Sequence, residues 1–227
     1  MFSNIKVFFS RLLVFDQKYQ PLIPPVQKAP ICFSAAETEE YWDWYMDHLD
    51  ERCEYLRCLI AEDSRISLES LDYSMDSLLL VWKWFLFRAK VVRKKLPRPY
   101  EKVSIISQET GGKPVKKTLK YDEFFDIKTE MMIRDIGMYV GKMFVLNYPD
   151  RIRWNVVRKP KNYIHVNEPL LQGFVQRNEG AKTNPFYPDF EPIHMTHVQA
   201  AGIFEGKARV DDMYNLCRMW SEWIPQE

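Results

Sequence analysis

Apolar residues recur at helical spacing in several stretches of this chain and alternate with polar ones in another, and the order of those periods lays out its elements. From Ala35 to about Ala61, Tyr41, Tyr45, His48, Leu49, Arg52, Leu56 and Leu59 follow a spacing of three and four, which predicts an amphipathic helix. Ser34 stands where an N-cap belongs and Glu37 three residues later completes a capping box. A second helix is predicted from near Ser74, whose hydroxyl can cap the free amides, through Leu78, Leu79, Trp82, Phe85, Leu86 and Ala89. Arg88, Lys90, Arg93, Lys94 and Lys95 then complement its carbonyl end before Pro97 and Pro99 stop it.

The pattern from Tyr121 to about Leu146 is apolar on more than one side, which predicts the most buried helix. It carries Gly137 and Gly141, which strip two side chains from one helical face and let a sheet approach closely, whereas Asp135 and Lys142 interrupt any membrane-dimer reading of the same spacing. After the break at Asn147-Tyr148-Pro149-Asp150, Ile152, Trp154 and Val156 alternate with Arg151, Arg153 and Asn155, the period of a half-buried strand. Tyr163-Ile164-His165-Val166 reads as its partner across a turn containing Pro160, Leu170 to Val175 adds a short element, and a closing helix spans about Val210 to Trp223.

Pro21, Pro24, Pro25 and Pro30 remove backbone donors from the region before the first helix. The organisation expected is therefore an N-terminal strand or arm with a Pro-rich linker over 1–34, followed by a single α+β domain over 35–227. In that domain three or four helices pack on a small, mainly antiparallel sheet. Residues 97–120, which hold Gly111-Gly112 and Pro114, read as a mobile loop with an edge strand near Val103 and as a subdomain boundary. At 227 residues with 46% hydrophobic and 15% aromatic content, the chain can bury a core without disulfides or metals. Cys32, Cys53, Cys58 and Cys217 have no repeated spacing and are expected as reduced thiols, with Cys58 and Cys217 on apolar helical faces.

Charge changes the picture. The formal net charge is only +1, so the whole protein offers nothing to nucleic acid or to an anionic membrane. Within it, Ala35 to Asp63 holds ten acids against two bases, and Lys83 to Lys120 holds twelve bases against two acids. Asp43, Asp47, Asp50 and Glu54 fall on the side of the first helix opposite its apolar face and form the candidate partner-binding surface. Met1 to Phe15 is apolar but interrupted by Lys6 and Arg11, with no small-residue cleavage site, so neither a signal peptide nor a membrane span is expected and the default location is cytoplasmic.

Candidate chemistry is sparse. His194 and His197, at i and i+3, could share a metal with Asp189 or Glu191, yet no His-Glu-x-x-His pattern is present. There is no Gly-x-Ser-x-Gly, and Gly111-Gly112-Lys113 lacks the spacing of a phosphate loop. No catalytic set, metal or cofactor is therefore expected. The competing reading is an enzyme whose groups are scattered in sequence, with His165, His194, His197 and Glu168 meeting in an aromatic pocket; a scaffold role is a third. The aromatic segment 184–190 is a further candidate contact.

Leu71-Asp72-Tyr73-Ser74-Met75-Asp76-Ser77-Leu78, and Ile136-Gly137-x-Tyr139-Val140-Gly141 followed by Trp154 and Asn167-Glu168-Pro169, resemble segments of small uncharacterised bacterial proteins, some of which look like immunity partners of polymorphic toxins. The resemblance spans roughly Leu71 to Phe174 and implies a protein that neutralises a cognate toxin domain by direct association, and the acidic helix adds that the domain would be basic. It brings no catalytic residues with it. An acidic helix suits such a task because complementary charge accelerates encounter.

Overall fold

The computed structural model describes residues 18–105, 114–176 and 186–226. The fold is α+β: five α-helices accompany two separate two-stranded antiparallel sheets among the described residues. The first helix, α1 (Ala35–Ser64), opens with the expected capping box, Ser34 Oγ accepting from the Glu37 amide and the Glu37 carboxylate accepting from the Ser34 amide. Of its predicted face Tyr41, Tyr45, Leu49, Arg52, Leu56 and Leu59 are buried and His48 is half-buried, while Asp43, Asp47, Asp50 and Glu54 are exposed.

The Pro-rich arm lies along α1. Tyr19 is buried and its hydroxyl donates to Asp135 at 2.8 Å, and Val26 is buried further on. Residues 1–17, read from sequence as a strand or short helix, lie outside the described residues.

The second helix, α2 (Ser77–Arg88), is shorter at both ends than its periodicity suggests. Ser74 still serves its start, its Oγ accepting from the Ser77 amide at 3.2 Å. The basic tail does not close the helix. Arg88 alone lies in the last turn, clamped with Trp84 onto Asp63 of α1, and Arg93, Lys94 and Lys95 are exposed on a strand. That strand, β1 (Val91–Ile105), pairs antiparallel with β2 (Pro114–Phe125), from Val91 opposite Phe125 to Ile105 opposite Pro114 with a register shift between Lys95 and Tyr100. Residues 97–120 thus form much of a β-ribbon rather than a mobile loop, and Gly111-Gly112 lie outside the described residues. Val91 and Val92 gain more from cross-strand partners than from another helical turn, a choice that local propensity does not make.

The same ribbon shortens the next helix, since Tyr121 to Phe125 belong to β2. The helix α3 (Ile127–Asn147) starts at Asp126, whose carboxylate accepts from the Thr129 amide at 2.8 Å. It is the central helix, with Met132, Ile136, Tyr139, Val140 and Phe144 all buried. A Cβ on Gly141 would fall 2.1 Å from Trp154 Cη2, and one on Gly137 would fall 2.7 Å from Ile193 Cα. The first glycine admits the sheet, as predicted, and the second admits another helix.

Trp154 sits on β3 (Arg153–Val156), which pairs with β4 (Pro169–Gln172), Val156 facing Pro169. Tyr163 to Val166 is not the partner strand. Those residues form turns, with Asn167 in the left-handed region at φ 65°, a conformation that asparagine tolerates and a ladder does not. Phe190 adds a bridge to Leu171 at the outer edge of β4 and leads into α4 (Pro192–Ala200); α5 (Asp212–Ser221) closes the chain, placing Met213, Cys217 and Trp220 in the core. Cys58 is exposed on α1, against the expectation of burial, whereas Cys217 is buried as expected.

Candidate functional site

Chain reversal at β4 brings the most polar part of the interior together. The amide of Leu171 donates to the Phe190 carbonyl at 2.7 Å and the Phe190 amide donates back at 3.0 Å. In that antiparallel register Glu191 follows the bridge on one segment while Glu168 precedes β4 on the other. The turn before β4 adds His165, whose Nδ1 lies 3.2 Å from Glu168 Oε2. On the first turn of α4, His194 turns its ring to His165, the centroids 5.0 Å apart.

Ligand atoms of His165, Glu168 and Glu191 all lie within 4.8 Å of one another. Glu191 is 2% exposed and is the N-cap of α4, its two oxygens accepting from the amides of Ile193 and His194. Burial, with the neighbouring Glu168 carboxylate, pushes the Glu191 carboxyl well above the usual range, against the pull of those two amides. Among the described residues neither Glu168 nor Glu191 has a lysine or arginine ion pair. Burial, with the neighbouring His165 imidazole, lowers His194 below the ordinary histidine value.

Glu168, Glu191 and His194 line a cavity of about 500 Å³. Its apolar wall comes from Ile23, Val26 and Phe33 of the arm, Tyr41 of α1, and Ile127 and Met131 of α3. Phe33 and Tyr41 meet edge to face at 5.5 Å, and burial pushes the Tyr41 phenol up to about 12. Arg134 also lines the cavity, donating to the Leu22 carbonyl at 3.2 Å and lying 5.6 Å from the Trp44 ring. The arm is fixed to the turn carrying His165 by Asn167, whose Nδ2 donates to the Pro30 carbonyl at 2.9 Å.

His194 and His197, which the sequence offered as a weak metal pair, do not face each other. His197 faces Glu130 at 3.5 Å and the edge of Phe125, and the hydrogen bond to Glu130 raises it above the ordinary histidine value. Asp189 is engaged by the Tyr163 hydroxyl at 2.6 Å and by Gln172 Nε2 at 2.9 Å. Of the groups named for an aromatic pocket, His165, His194 and Glu168 do converge, and His197 reaches the same cavity from its far side of α4. Sequence reasoning passed over Glu191 as a buried group, although an acidic residue before Pro192 is a legible helix start.

The acidic surface of α1 is real but partly spent. Asp50 pairs with Lys142 at 2.8 Å and Glu54 with Arg57 at 2.6 Å, while Asp43 and Asp47 have no ion pair among the described residues. Of the segment 184–190, Phe186 and Tyr187 are exposed, Phe190 is core, and 184–185 lie outside the described residues.

Comparison of the chain with protein-family models, with curated proteins and with solved structures finds no match. None of the helices among the described residues is long and apolar enough to cross a membrane. The fold and the cavity define an α+β protein with an apolar pocket closed at one end by carboxylates and imidazoles.

Proposed function

We propose that this protein binds a small organic molecule in the pocket, its apolar body against the arm and α3 and its polar head toward Glu168, Glu191 and His194. The observation that carries the reading is the convergence of Glu168, Glu191 and His194, from two separate segments, on a cavity of about 500 Å³, within the usual size of ligand sites, with His165 behind Glu168. The His165–Glu168 pair and His194 are within reach of one another, so a bound head group would meet groups able to accept and return a proton. Such a use of these groups corresponds to the enzyme-like alternative.

Phenethylamine and phenylacetate, matched in body and opposite in head, test it by isothermal titration calorimetry. At least one should bind at sub-millimolar affinity, and Phe33→Ala should weaken it by about tenfold through the lost apolar contact. Binding of neither, or binding indifferent to Phe33→Ala, overturns the reading.

A second reading, a module that docks on a basic protein such as a toxin domain, is favoured by the exposed, unpaired Asp43 and Asp47. If that face docks, a folded Asp43→Lys, Asp47→Lys variant associates more slowly with its partner, and added salt slows the wild type in the same way. Equal recovery of a co-encoded partner by both proteins removes this face from consideration. The immunity function itself rests on the sequence resemblance and on this face alone.

A further inference from the structure

The carboxylate end of the pocket has the composition of a cation site, and we propose that His165, Glu168 and Glu191 together bind one divalent transition-metal ion, with zinc the best fit. The inference rests on the pocket only in that Glu168 and Glu191 line it. It deepens the reading above by naming what the polar end holds.

Two observations converge on it. One imidazole and two carboxylates present ligand atoms within 4.8 Å of one another, and metal–ligand distances of about 2.0–2.2 Å put neighbouring ligands of a tetrahedral ion about 3.4 Å apart, so the widest pair would close by up to about 1.4 Å on binding. The His165 to Glu168 contact, at 3.2 Å, already has the separation of neighbouring ligands. The three are held by different restraints: His165 by its turn, Glu168 by the start of β4, and Glu191 by the two amides that orient its carboxylate from behind. Hydrogen bonds of this kind are the usual outer support of a ligating carboxylate.

The second observation is a shortage of countercharge, since the His165 imidazole beside Glu168 is the one basic group recorded against the two carboxylates among the described residues. Two carboxylates meet, one of them 2% exposed, and no lysine or arginine ion pair serves either among the described residues. A buried charge is ordinarily paired or bound to a metal.

The donor set selects the ion. Imidazole with carboxylates suits zinc or manganese, whereas magnesium and calcium prefer oxygen alone. With three protein ligands a coordination position stays open toward the cavity, where His194 and a ligand head would meet it. The ion would also reverse the sign that the pocket presents. Metal-free protein offers carboxylates and favours a cationic head; the loaded protein would offer a cation in a cavity that Arg134 also lines, and would favour an anionic one.

The experiment is titration of chelator-treated full-length protein with Zn²⁺, Mn²⁺ and Mg²⁺ by calorimetry, with native mass spectrometry for stoichiometry. One zinc per chain should bind more tightly than manganese, and magnesium should not compete. Glu168→Gln and His165→Asn, each checked for wild-type melting, should weaken zinc by at least about 100-fold, the loss of a direct ligand exceeding that of a supporting one. Cobalt loading should give the intense visible bands of a low-coordinate site, and both variants should abolish them. Zinc binding unchanged in the two folded variants overturns the assignment, as does no stoichiometric zinc in wild type.

The probes separate this from the pocket reading. If zinc binds and neither phenethylamine nor phenylacetate does, the metal site stands and the organic pocket falls. If an organic probe binds metal-free protein while zinc does not bind, the reverse holds. If both bind, zinc should weaken phenethylamine and strengthen phenylacetate.

Discussion

Asp135 and Glu191 are both buried carboxylates, 3% and 2% exposed, and the molecule treats them in opposite ways. Asp135, on the face of α3 turned to α1, accepts from Arg52 Nε at 3.1 Å, from Arg52 Nη2 at 2.5 Å and from the Tyr19 hydroxyl at 2.8 Å. Arg52 in turn caps the Gln20 carbonyl at 3.1 Å and stacks 4.3 Å from the Tyr55 ring. Every strong donor there is matched, and the arrangement ties the N-terminal arm, α1 and α3 into one unit. Glu191 has two backbone amides and, where Asp135 has a guanidinium, a second carboxylate. Burial with a partner charge builds structure; burial without one leaves a demand that a ligand can fill.

The most damaging way to test that contrast is to break the satisfied cluster. Asp135→Asn leaves Arg52 buried without a countercharge and should cost about 3–5 kcal/mol in denaturant unfolding. Replacing both partners together, Arg52→Met with Asp135→Leu, should recover most of the loss. A single-variant cost below about 1 kcal/mol would mean that the pair does not bind the arm to the core as its geometry implies.

The support beneath Glu191 comes next. Asp135 and Gly137 are two residues apart, about 200° around α3, so the same helix serves the satisfied cluster on one side and the pocket on the other. Gly137→Ala would set a methyl 2.7 Å from the Ile193 backbone. It should displace α4 and cost about 1–3 kcal/mol by overpacking. An unchanged melting temperature would show that α4 can move away freely, and the position of Glu191 would then not be enforced.

Glu191→Gln is the sharpest counterpart to Asp135→Asn. It removes a buried charge that faces another carboxylate and keeps an amide oxygen for the α4 cap, so in metal-free protein the change should be within about 1 kcal/mol of neutral or stabilising. A loss of about 3 kcal/mol would equate it with Asp135 and end the distinction drawn between them. At the small end, Asp43→Lys with Asp47→Lys should alter stability by no more than about 0.5 kcal/mol, since both are exposed and unpaired. A larger drop in thermal unfolding would assign the acidic face a role in the fold itself.

Local signals determined much of this protein. The Ser34–Glu37 capping box, the buried stripe of α1 with its exposed acids, the central burial of α3, the close approach at Gly141 and the alternation around Trp154 are all properties of neighbouring residues, and each is where periodicity placed it. The α+β class follows from them. The ribbon was not legible, because Val91 to Lys95 and Tyr121 to Phe125 carry helical spacing and become strands only through pairing with each other. The pocket was legible only as a condition: His165, His194 and Glu168 could be named, but their meeting depends on the bridge between Leu171 and Phe190 and on the left-handed turn at Asn167. Glu191 was hidden further, since an acid before a proline reads as an ordinary exposed cap. Its burial comes from α3 at Gly137 and from the arm across residues 22–33, contacts whose partners lie more than fifty residues away in the chain. Side-chain period is written in adjacent residues, whereas the surroundings of a charge are set by whatever the fold brings against it.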